Sequence, residues 1–404
     1  MRRRASRPRR RRPGPRVRVE GLRYPRPIRR ADPHAPGPIA AVLEAAPDLY
    51  HRELRPAQRA ADEVARILEA APITLIPALD RAFRDGGLHR RLGRTFVDVA
   101  PAQVARLDRL ERSQTAAYGI SSLVRSGHAR EAAIAGLRER RDPLALAFLV
   151  NRLGDYVGSI GDQAWAVLED RLTPGLAIHL VAALPLIERM SGLVRATEAR
   201  QRRLLQFLRG EDPRIVAALW VGARGADPEV AWAAARALRD RGGGPDELLA
   251  VYEAALRSRA PQLRIWAARS AADRRLTPTS VLEALTPRLV ADRLPAIRVV
   301  GVHAAAARGD LEALRRAAFD GNGEVRHHAR VHLARRSAPL DYRRLALATL
   351  ARDGLRRDQA IGALATLSDF GRGEDRPAIE RYAADPRPSV AREAARTLSL
   401  LDRL

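Results

Sequence analysis

Six segments in the second half of this 404-residue chain repeat one apolar register, and few folds accommodate such a pattern. The triplets are Val230/Ala234/Leu238, Leu263/Ala267/Ala271, Ile297/Gly301/Ala305, Val325/Ala329/Leu333, Gln359/Ala363/Leu367 and Val390/Ala394/Leu398. A spacing of four within a segment marks one face of a helix. The segments start 33, 34, 28, 34 and 31 residues apart, which is room for one helix pair per repeat. Such units bury their apolar faces only against neighbours, so the chain is expected to be all-α, an α-solenoid of about eight helix pairs with a long concave surface. Ala129/Ala133/Leu137 and Ile160/Ala164/Leu168 extend the register toward the N-terminus, whereas residues 187–209 hold a copy that does not align cleanly.

Punctuation supports this reading. Asp-Pro at 142–143, 212–213, 227–228 and 385–386 and Thr-Pro at 173–174 and 277–278 read as helix caps followed by proline in the first turn. Three organisational units follow. Residues 1–37 form an Arg/Pro-rich tail too polar to bury a core. Residues 38–112 form a helical N-terminal cap or a divergent repeat set, and residues 113–404 form the repeats proper.

The segments DPEVAWAAARAL at 227–238, QLRIWAARSAA at 262–272, AIRVVGVHAAA at 296–306, GEVRHHARVHL at 323–333 and SVAREAARTL at 389–398 resemble HEAT-like repeats of the phycobilisome-lyase type. Val325-Arg326 keeps the Val-Arg step of that repeat, and Leu263-Arg264 and Ile297-Arg298 approximate it. The step is lost at Val230-Ala231 and Gln359-Ala360. The resemblance covers residues 113–404. It implies a solenoid that binds something and says little of what is bound. The arginines of these steps sit beside the core register, so they are assigned a structural role, bonding carbonyls or acids of the adjacent repeat.

Charge narrows the function classes. The net charge of +25 divides into +13 over residues 1–30, with 14 Arg against Glu20, and +12 over the rest. All 72 basic residues are Arg, and in a chain also rich in Ala, Pro and Gly this points to codon bias in a GC-rich bacterial genome. The tail, with Arg9, Arg10, Arg11 and Arg12 at its centre, reads as an arm for phosphates, as solvated chain, or as upstream sequence included by a misassigned start codon. The absence of Cys removes disulfides and thiolate metal sites. No apolar run suits a spanning helix or a secretory leader, so a cytoplasmic location is expected.

Register positions two and six point away from the core. They hold Trp232, Ile265, Val299 and Ile361, with Arg236, Arg269, His303 and Arg396 beside them. An apolar floor flanked by Arg suits a protein interface. The expected function is therefore a non-catalytic scaffold that holds a partner protein along its concave face, with no cofactor. Nucleic-acid binding through the basic tail and Arg-rich surface is the second reading. A HEAT-fold enzyme acting on a nucleobase or tetrapyrrole is the third, and it requires a titratable group in the groove. The resemblance offers two such enzyme classes. Deoxyhypusine hydroxylases bind iron through His-Glu steps, and this chain has none. Alkylpurine DNA glycosylases use aromatic and Asp residues on a basic surface, and no such set maps here residue by residue. No phosphate loop, nucleophile elbow or dinucleotide fingerprint is present. His327, His328 and His332 form an HHxxxH run, which without Cys or a second shell is assigned no metal.

Overall fold

A computed structural model describes residues 37–84, 99–190, 198–336 and 340–402. The tail, with Arg9 to Arg12, lies outside them. The described residues hold 23 α-helices and no strand, each helix packed on those adjacent in sequence. The fold is a HEAT-like α-solenoid. Among the described residues, no helix is long and apolar enough to cross a membrane.

The eight register triplets fall on the second helices of successive pairs: Gly127–Arg138, Gly158–Glu169, Pro228–Asp240, Pro261–Ala272, Pro295–Arg308, Gly323–Ala334, Arg357–Phe370 and Pro388–Leu401. Ala133, Ala164, Ala234, Ala267, Ala329, Ala363 and Ala394 at their centres are all buried. Small residues there let the second helix approach its first. Gly301 shows how close: a Cβ added to it would stand 2.5 Å from Val290 N and 2.7 Å from Leu289 C, in the helix Thr279–Val290. The unaligned residues 187–209 take in the end of the helix Leu184–Arg189, which Ala183 alone separates from Ala177–Ala182, and the helix Glu198–Leu208.

The structure departs from the sequence reading in four places. Gln359 is exposed, and its side chain accepts from Arg356 N at 3.1 Å as a helix-start partner, so the buried position shifts to Ala360. Thr277 caps nothing; its hydroxyl is buried between Tyr252 and the carbonyl of Ser270. Asp385 lies before the start of Pro388–Leu401 and accepts instead from Arg387 N at 2.9 Å. Thr173 stands before the three-residue turn Pro174–Leu176, and its side chain makes no cap bond. The remaining Asp caps are as expected, with Asp142 accepting from Ala145 N and Asp227 from Val230 N.

Successive pairs are tied by an arginine clamp. Arg130, Arg264, Arg298 and Arg326 stand one residue after the register start, and the first three reach an aspartate five residues before the next start. Arg130 meets Asp155 at 3.1 Å, Arg264 meets Asp292, and Arg298 takes both oxygens of Asp320 at 2.7 Å. Arg130 also donates to the Val124 and Arg125 carbonyls, and Arg298 to those of Asp292 and Arg293. Each aspartate accepts a backbone N–H two residues on, from Val157, Leu294 and Asn322 respectively. The structural role assigned to these arginines is therefore observed. Arg326 differs. Gly354 occupies the position where its aspartate would stand, and Arg326 pairs instead with Asp369 at 2.9 Å.

That exception coincides with a change in the stack. Gly323–Ala334 does not lie along Arg357–Phe370 as Pro295–Arg308 lies along Gly323–Ala334. The cores on either side, Val302–Leu333 and Ala346–Leu401, share Phe319 as a packing partner. Upstream, one core runs from Val42 to Ile297 and joins residues 38–112 to the repeats. There Leu54–Ala70 packs on Gln114–Ser121, and Asp62 binds Arg112 and Ser113.

Asp155 also accepts from Arg152 at 2.8 Å, and Arg152 and Arg130 are 0% and 1% exposed. Removing the carboxylate takes the acid shared by two buried guanidinium groups, leaving Arg130 its two backbone carbonyls and Arg152 its ion pair with Asp80. Asp155→Ala is expected to destabilise the fold by about 3–5 kcal/mol, read as a fall in the urea midpoint, whereas Asp162→Ala on the exposed face leaves it unchanged.

Candidate partner-binding face

Most of the positions proposed for binding lie on the second helices, and burial sorts them. Trp232 is 36% exposed. The Arg236 guanidinium lies 5.9 Å from its ring and also pairs with Glu188 of the helix Leu184–Arg189. Indole and guanidinium are thus set together by that helix, and the ion pair fixes Arg236 in place. Arg269 is exposed, and its side chain makes no ion pair or hydrogen bond among the described residues. Arg396 is exposed and bonds Glu393 at 3.0 Å on its own helix. Ile265, Val299 and Ile361 are half-buried, each resting on a core cluster. The structure therefore brings Trp232 and Arg236 together on an open face. It leaves the three aliphatic side chains only partly available.

Every Trp of the chain carries an arginine. Arg200 lies over Trp165, Arg224 over Trp220 and Arg239 over Trp266, at 5.9, 4.6 and 5.5 Å from the ring centres. Trp220 and Trp266 are half-buried, consistent with the packing role expected for helical Trp.

Two arrangements were not read from the sequence. The first is at the change in stacking. Tyr342 and Phe370 stack with ring centres 5.3 Å apart, and Arg330 lies 4.8 and 4.7 Å from them. Arg330 also bonds Asp369 at 2.7 Å and Thr366 at 3.0 Å. Burial opposes the charge on Asp369, yet the bonds from Arg326 and Arg330 outweigh it and hold the carboxyl below its ordinary range. Phe370 remains 43% exposed.

The second gathers histidines from two repeats. His303 Nδ1 and His332 Nε2 stand 2.9 Å apart, one donating and the other accepting. His328 lies edge-on to His303 with ring centres 4.8 Å apart, and His327 meets His328 with ring centres 5.6 Å apart. The hint in the sequence was His328 and His332 one helical turn apart. The third member, on another helix, has no local signature. Burial and then the neighbouring His328 lower the pKa of His303. Burial, then His303, Arg336, Arg335 and His328, lower that of His332.

No protein-family model matches the chain. No curated protein matches it either. Among solved structures the chain is similar to Kap121p bound to Nup53p, at TM-score 0.30 and 13% identity over 89% of this chain and 45% of that one. It is similar also to a Kap121p mutant, at TM-score 0.28 and 13% identity over 90% and 45%. The chain spans less than half the length of these proteins. At such TM-scores two chains do not superpose as wholes.

Half-burial of His179 lowers its pKa as well. For all three imidazoles the unfolded chain takes up a proton near pH 6.5 and the folded chain only at lower pH. Between those values the unfolded state binds more protons, so stability is lost as pH falls below about 6.5. Melts from pH 7.5 to 5 are expected to show a falling Tm, with a smaller fall for a triple His179→Gln, His303→Gln, His332→Gln chain.

Proposed function

We propose that the chain is a non-catalytic scaffold that holds a partner protein along the concave face lined by its second helices. The observation that carries this reading is the Trp232–Arg236 pair. An indole exposed on a rigid helix, with an arginine fixed beside it by Glu188, has the composition of an interface hot spot. The other positions at register two and six carry no acid, and all but the buried Ala365 extend that surface: Ile265 and Arg269, Val299 and His303, His327 and Val331, Ile361, Arg392 and Arg396. A face that mixes an exposed indole and half-buried aliphatic side chains with arginines, of which Arg269 makes no ion pair among the described residues, suits a partner that presents apolar anchors ringed by carboxylates. Uniform phosphate binding calls for arginines in an unbroken track, and here aliphatic side chains interrupt them. The likeness of the repeats to the phycobilisome-lyase type belongs to this reading as a likeness of form.

A HEAT-fold enzyme requires a titratable group in the groove. His303 is one, but its neighbours are two further imidazoles rather than an acid or a nucleophile. The scaffold is accordingly the better-supported reading.

The test is a pull-down from cells of the source organism with the intact chain as bait. Trp232→Ala combined with Arg269→Glu is expected to lower recovery of the bound protein at least tenfold, the loss of about 1.4 kcal/mol or more, with helical content by circular dichroism unchanged. Undiminished recovery would remove the groove from the account.

A further inference from the structure

We propose that His303 and His332, with His328 beside them, form a binding site for one divalent transition-metal ion at the seam between Pro295–Arg308 and Gly323–Ala334. The site stands on its own residues and does not rest on the groove reading. HHxxxH alone supplies two imidazoles one turn apart on a single helix; the structure adds a third from the preceding repeat. His303 meets both of the other rings, its ring centre 4.8 Å from that of His328 and 5.0 Å from that of His332, each contact edge to face. The rings are also within reach of solvent, since His303 is exposed and His328 and His332 are half-buried.

The hydrogen bond between the two rings points to what the site takes. His303 Nδ1 and His332 Nε2 face one another at 2.9 Å with one hydrogen between them. Two imidazole nitrogens on one tetrahedral zinc ion, each about 2.0–2.1 Å from it, lie about 3.3 Å apart. Replacing the shared hydrogen by an ion therefore requires the rings to part by only about 0.4 Å. The balance is simple. The donating ring moves its hydrogen to its other nitrogen, both facing nitrogens then offer lone pairs, and no proton leaves the protein. Neutral imidazole selects zinc, nickel or copper over magnesium or calcium, which prefer oxygen. Water fills the remaining positions, as in open zinc sites.

Among the described residues, no group of three or more His, Cys, Asp or Glu side chains could hold a metal ion, so the site rests on the two facing nitrogens of His303 and His332, with water completing it. The cluster is closed on its hydrogen bond and opens when an ion enters. Arg335 and Arg336 face His332, and Arg336 also donates to the carbonyls of His332 and Ala306. Their charge opposes a cation, so affinity is expected to rise when Arg335 is neutralised.

The experiment is a titration of the intact, tag-free chain with zinc chloride at pH 7.5 by calorimetry, repeated with cobalt(II) and read by visible absorption. The expected result is one ion per chain and a cobalt spectrum of low-coordinate nitrogen ligation. His303→Gln and His332→Gln, which keep a hydrogen-bonding group of similar size, should each weaken binding by about tenfold or more. His327→Gln should not, and Arg335→Gln should tighten it. Absence of saturable uptake, or uptake that survives both the His303 and His332 substitutions, would overturn the proposal.

Discussion

Close approach of each second helix to the first helix of its pair is the constraint on which this structure depends. It demands a small residue at the middle of the apolar face, which is why Ala or Gly recurs there in all eight register segments. At Gly301 the backbone of the opposing helix leaves no room for a Cβ. Such contacts bury little area each, but they repeat, and each unit borrows its core from its neighbours. The long apolar cluster from Val42 to Ile297 is their sum.

The arginine clamp converts stacked pairs into a defined superhelical step. Arg130, Arg264 and Arg298 are held by an aspartate of the following turn that is itself fixed by a backbone N–H. A charge buried in this way stabilises little by itself, yet removing either partner is costly. The clamp therefore acts on register more than on net stability. Where Gly354 replaces the aspartate, Arg326 and Arg330 converge on Asp369, and the two second helices no longer pack along one another. The join at that point is aromatic and ionic, through Phe319, Tyr342, Phe370 and Arg330, rather than a continuous aliphatic core.

Helix pairs, their number and the structural use of the Val-Arg arginines were legible in the sequence because each is a local pattern repeated at nearly constant spacing. Gln359 was misplaced because, although it stands third in its helix as the other register starts do, its side chain is spent on the N-terminus. Thr277 was misread because a Thr-Pro step looks the same whether the hydroxyl caps a helix or fills a buried gap. The candidate site was legible only in part. Trp232 and Arg236 lie one turn apart on one helix, so their pairing follows from spacing, whereas Glu188, 48 residues earlier, does not. The His303–His332 contact spans 29 residues between helices. It depends on the superhelical step, which no single-helix pattern encodes.

The central claim, that the solenoid face meets protein rather than phosphate, is tested most directly by titrating a fluorescent DNA duplex at several salt concentrations. The comparison is between the full-length chain and residues 38–404. The account predicts that any duplex binding depends on residues 1–37 and disappears with them. Tight binding retained by residues 38–404, with an affinity falling steeply as salt rises, would contradict it and assign the arginines of the second helices to nucleic acid.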